Sequence, residues 1–60
     1  MNRVVEILME RDGIDEEEAR SLIKETRDEI LSLDDIMEAD DILAEYLELE
    51  PDYMFDVLNI

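Results

Sequence analysis

DGIDEEEARSLIKETRDEILSLDD, residues 12 to 35, decides the fold, because it holds the stop of one helix, the whole of a second and the start of a third. Gly13 is the only glycine in the chain, and a glycine after an apolar run suits the left-handed residue that closes a helix. The run before it, NRVVEILMERD over residues 2 to 12, reads as helix one. Asp15 followed by Glu18 has the form of a capping box, in which the first side chain accepts from the N–H three residues on. Glu16 and Glu17 add negative charge to the first turn, where the helix dipole favours it. Helix two is expected from Glu16 to Leu33. At about 100° per residue, Ala19, Leu22, Ile23, Ile30 and Leu33 share one arc with Thr26. Arg20, Lys24 and Arg27 form a stripe beside that arc and are assigned to internal pairing with the surrounding acids.

Downstream, Asp34 or Asp35 can cap a third helix with a buried arc of Ile36, Ala39, Ile42, Leu43, Tyr46 and Leu47. Pro51 fits the first turn of a fourth, short helix through Leu58, with Glu50 just before it and Tyr53, Met54, Val57 and Leu58 facing inward. No segment alternates with period two, so strands are not expected. The expected fold class is all-α, a small bundle of three helices plus a short C-terminal one, forming a single domain over residues 1–60.

Helix one is apolar over an unusually wide arc, because Val4, Val5, Ile7, Leu8 and Met9 spread around more than half its circumference. Helices apolar all round are buried ones, so it is expected to sit centrally against two others. The alternative is a homodimer seam, which would offset the small core. Val5 and Met9 are the candidate oligomer contacts on that helix. Leu31 and Phe55 join them because they fall outside the apolar arcs of their own helices.

Sixty residues allow one thin core, with roughly 60% of the unfolded chain's surface buried on folding. A net charge of −15 resembles that of disordered chains, while 47% hydrophobic residues is ordinary for a folded domain. Helical periodicity arbitrates in favour of folding. The chain has no cysteine, so neither a disulfide framework nor a thiolate metal site supplements the core. Glu6 and Glu10 interrupt the apolar run at the N-terminus, which therefore reads as neither a signal peptide nor a membrane span. A cytoplasmic protein with no membrane partner is expected.

The usual agents of catalysis are missing. There is no His, Cys or Trp, which removes the common general base and the thiolate nucleophile. Ser21 and Lys24 lie three apart but read as solvent-facing helix residues. The carboxylate pairs Asp34-Asp35 and Asp40-Asp41 are exposed, whereas general acid work needs one member buried and raised in pKa. A calcium loop started at Asp34 would place Ile36 at its third position and Ala39 at its sixth, where an oxygen ligand and a glycine are required. No Gly-rich phosphate loop is present. No enzyme activity, cofactor or metal is expected, and the sign of the charge opposes direct nucleic-acid binding.

Charge is distributed unevenly. All five bases (Arg3, Arg11, Arg20, Lys24, Arg27) lie in the first 27 residues, and from Asp28 to Ile60 there are twelve acids and no base. Glu38, Asp41, Glu45 and Glu48, at spacings of 3, 4 and 3, would form a file roughly 15 Å long on one helix. Glu25, Asp28 and Glu29 give helix two a second acidic flank. Files of this kind are similar to the anionic backbone of a nucleic acid, and would be drawn to a groove of Lys and Arg that normally holds phosphates. The expected partner is a protein with a basic surface. The runner-up is a small assembly module that engages a partner through helix one, with the acids only preventing misassociation.

Two motifs carry a resemblance. Asp12-Gly13-Ile14, Asp15 and Glu16-Glu17-Glu18-Ala19 fit a start of the type DGI-x-EEEA, continued here as ARSLIKETRDEI. Leu47-Glu48-Leu49-Glu50-Pro51-Asp52-Tyr53 is similar to an ending of the type L-G-L-E-P-D-Y. In these the chain resembles a group of very short acidic helical proteins encoded by bacteriophages and prophages, over most of residues 11 to 58. It departs from the pattern at Glu48, where the group has glycine. The resemblance implies no particular activity and no catalytic or binding residue. Phage origin would favour an inhibitor of a host nucleic-acid enzyme, because acidic DNA mimics, some anti-CRISPR proteins among them, are a recurrent phage strategy.

Overall fold

Asn2 opens the first helix from outside it, with an extended backbone and a side-chain Oδ1 that accepts from the Val4 N–H at 2.8 Å. In the computed structural model, which describes residues 2–60, α1 runs Arg3–Asp12. Gly13 closes it at φ 67°, its N–H donating to the Met9 carbonyl at 3.1 Å. Asp15 caps α2, Glu16–Leu31, by accepting from the Glu18 N–H at 2.8 Å. The helix stops short of the expected Leu33 because Ser32 offers the backbone another arrangement. Its Oγ donates to the Glu29 carbonyl at 2.8 Å, and the Leu33 N–H reaches only as far back as Ile30, at 3.2 Å.

Of the two candidate caps for the third helix, Asp35 is used: its Oδ1 accepts from the Met37 N–H at 3.0 Å. The cap opens a 3-10 turn, Ile36–Glu38, and only then does α3 begin, Ala39–Leu47. The three residues of the turn lie outside the α-helix proper, which begins later than a continuous helix from the cap would. Ile36, expected in the buried arc, is 69% exposed, and Tyr46 is 47% exposed. The buried stripe narrows to Ala39, Leu43 and Leu47, with Ile42 half-buried beside it. Beyond α3, Glu48 turns the chain at φ 54° and Leu49 drops back into the core. Pro51 opens a second 3-10 turn, Pro51–Tyr53, leading into α4, Met54–Leu58. The described residues contain no strand.

One core unites Val4, Val5 and Leu8 of α1, Ala19, Ile23 and Ile30 of α2, Ala39, Leu43 and Leu47 of α3, then Leu49 and Val57. Its hub is α2, which packs against α1, α3 and α4. α1 does lie against two helices, α2 and α4, but the central place expected for it belongs to α2. Val5, offered as an oligomer contact, is fully buried within the single chain, and Met9 is half-buried against the same core. Neither leaves a free apolar seam on α1. Leu31 and Phe55 do face outward, at 66% and 80% exposure. No helix is long and apolar enough to cross a membrane among the described residues. The molecule measures 32 × 17 × 17 Å along its principal axes.

Candidate protein-binding surface

The surface is defined first by where its bases go. Arg3 donates from Nε and Nη2 to the Asp56 carboxylate at 2.9 and 2.6 Å, and its guanidinium lies 4.7 Å from the centroid of the Tyr53 ring. Asn2 Nδ2 adds a bond to the Asp56 carbonyl at 2.8 Å, so the start of α1 is pinned to α4. Arg11 works in two directions. It grips the neighbouring Asp12 carboxylate at 2.9 and 3.1 Å, and it donates to the carbonyls of Leu47 at 2.7 Å and Glu48 at 3.2 Å. Those carbonyls are at the end of α3, where a helix leaves acceptors without donors. The hydrogen bond from Arg11 holds the Asp12 carboxyl below the usual carboxylate range.

Arg20 pairs with Glu16 one turn back at 2.9 Å. Arg27 meets Asp28 at 3.1 Å and the Ile60 carbonyl at 3.3 Å. Both arginines of the expected stripe are therefore paired internally. Lys24, expected to pair with them, makes no ion pair among the described residues.

All seven candidate carboxylates, Glu25, Asp28, Glu29, Glu38, Asp41, Glu45 and Glu48, are exposed. Among the described residues, Asp28 is the only one of them held by a base. Among the described residues no carboxylate from Glu29 to Asp52 is ion-paired, since the four ion pairs there use Asp12, Glu16, Asp28 and Asp56. Asp41 and Glu45 stand one turn apart on α3, on the side opposite Ala39, Leu43 and Leu47. The expected straight file of four is not formed on one helix. Glu38 belongs to the 3-10 turn before α3, and Glu48 lies beyond its end in a left-handed conformation. The arrangement is two carboxylates on a rigid helix with one more on each flanking turn. Glu25 and Glu29, one turn apart and without an ion pair among the described residues, occupy the outer surface of α2.

The described residues enclose no pocket and hold no group of acids arranged to take a metal ion, so the candidate site is an open face. Sequence reasoning found its carboxylates but missed the Arg11 clamp, which joins residues 36 and 37 positions apart and has no local signal. It also missed the exposed pair Ile36 and Met37, which lie in the 3-10 turn before α3. No family model, no curated protein and no solved structure matches the chain.

Proposed function

We propose that this protein is a non-enzymatic acidic binding module, a small helical bundle of phage origin that works in the host cytoplasm. There it inhibits a nucleic-acid enzyme or defence effector by occupying its basic groove. Glu38, Asp41, Glu45 and Glu48 make the contacts, assisted by Glu25, Asp28 and Glu29. One observation carries the reading: the arginines are consumed in bonds within the chain, while no carboxylate from Glu29 to Asp52 has a base partner among the described residues. Such carboxylates keep their field, and a groove that normally neutralises phosphates supplies the Lys and Arg they lack. Asp41 and Glu45 repel each other at i, i+4, which costs a few tenths of a kcal/mol. A thin core retains that repulsion where binding gains from it. The homo-oligomeric alternative is weaker, because Val5 and Met9 are occupied by the chain's own core.

Displacement of a labelled DNA duplex from proteins with basic grooves tests the reading. Wild type is expected to displace the duplex at low salt and to lose that ability as the screening length falls from about 10 Å at 0.1 M to about 3 Å at 1 M. Asp41→Lys with Glu45→Lys is expected to abolish displacement while helicity, read by circular dichroism, stays intact. Equal displacement by the reversed variant would sink the proposal, as would a bound partner that survives 1 M NaCl, a condition chosen for a screening length of about 3 Å.

A further inference from the structure

Ile36 and Met37 are neighbours in the turn between α2 and α3, and they are 69% and 83% exposed. Leu31, at the end of α2, is the next large apolar residue upstream that faces outward. Ile36 stands three and seven positions before Ala39 and Leu43, the spacing that would place it on their buried stripe in a continuous helix. In the 3-10 turn opened by the Asp35 cap on the Met37 N–H it is exposed instead. Two adjacent large apolar side chains are thus left in water by a chain with little core to spare. The charge around them has one sign, since Asp34, Asp35 and Glu38 sit in and beside the same turn and none is ion-paired among the described residues.

We propose that this turn is a docking point for a short amphipathic segment of a basic partner. An apolar side chain of the segment seats on Ile36 and Met37, while flanking Lys or Arg meet Asp34, Asp35 and Glu38. Charge selects the occupant. A second copy would press the same carboxylates against themselves and bring another −15 charges, and a neutral apolar segment would desolvate them without a partner. Size selects a segment rather than a whole domain, because so few side chains are a fraction of the roughly 800 Å² per partner of a standard interface. The sign of the partner rests on the function proposed above. The anchor is separable through Ile36 and Met37, which are not among the groove contacts, although Glu38 serves both.

Fluorescence anisotropy with two labelled peptides of identical Leu and Lys composition tests the inference. In one the leucines share a helical face, and in the other their order is shuffled. Wild type is expected to bind the faced peptide at least about tenfold more tightly, which corresponds to about 1.4 kcal/mol. Ile36→Ser with Met37→Ser should bring the faced peptide down to the shuffled one. Asp41→Lys with Glu45→Lys should weaken both peptides and leave their ratio unchanged. Equal affinities in wild type, or a ratio untouched by the serine variant, overturn the docking point. So does a wild-type dimer in sedimentation that the serine variant disperses, because the occupant would then be a second copy. A peptide ratio that responds to the serines while the reversed variant still displaces DNA would retain the anchor and reject the groove reading.

Discussion

Glu48 occupies φ 54° and ψ 46°, a conformation glycine adopts freely and glutamate does not. Crowding of Cβ against the carbonyl costs about 1–2 kcal/mol there, and its carboxylate lies at the negative end of the α3 dipole. Arg11 offsets this by donating to the Leu47 and Glu48 carbonyls from the end of α1. Glu48→Gly is therefore expected to stabilise the fold by about 1 kcal/mol, a rise in Tm of about 4–8 °C for a domain of this size, read by thermal circular dichroism. Arg11→Ala should lose about 1–2 kcal/mol in urea unfolding. It should also return the Asp12 carboxyl toward its ordinary value of 3.8, followed by NMR titration. Because folding lowers that group's pKa, its contribution is complete above the ordinary value and is lost as pH falls through the lowered one. The left-handed residue at position 13 could be read from the sequence because it is glycine. The one at position 48 could not, since only a pattern with glycine at that place marks it.

At the scale of elements, the legible features were those with period and cap together. Ala19, Ile23 and Ile30 repeat at helical spacing behind Asp15, and all three are buried. In the junction from Ser32 to Glu38 the cap at Asp35 is one of the two expected, whereas the early end of α2 at Leu31, with Ser32 bonded to the Glu29 carbonyl, and the 3-10 turn before α3 depart from the period that the apolar residues suggest. Which helix becomes the hub is likewise set by packing: α1 is the more apolar, yet α2 touches every other α-helix because it is the longest, at 16 residues. Substitution separates the two kinds of isoleucine. Ile23→Ala should cost about 2–5 kcal/mol, a large part of the roughly 3–9 kcal/mol that 60 residues possess at about 0.05–0.15 kcal/mol each. Ile36→Ser should change stability by no more than about 0.5 kcal/mol. A loss of about 2 kcal/mol at Ile36 in urea unfolding would mean that a regular helix buries it. Thr26 is buried among the apolar residues of α2 with its hydroxyl bonded to the Leu22 carbonyl at 2.8 Å, which explains how a polar group enters the core without an unmet bond.

Across the whole molecule, −15 charges are held at a radius of gyration of 10.7 Å, close to the screening length of about 10 Å at 0.1 M salt. Self-repulsion therefore opposes the compact state at low salt and fades as salt is added. Docking to a basic groove has the opposite dependence, so stability is expected to rise over the range in which displacement of DNA declines. Glu45→Lys separates these effects within one side chain. It removes two units of negative charge, places a base in the last turns of α3 where the dipole favours it, and sets Asp41 four residues before a lysine in the preferred order. Each contribution has the same sign, and together they should raise stability by about 0.5–1 kcal/mol at low ionic strength. The gain should shrink as salt is added, in parallel thermal melts of variant and wild type. Displacement of DNA by the same variant should weaken. A Glu45→Lys protein that melts higher yet displaces less would locate the cost of the acidic face in folding and its benefit in binding. One that melts lower would mean that Glu45 has a stabilising partner in the folded chain, contrary to its exposed position without an ion pair among the described residues.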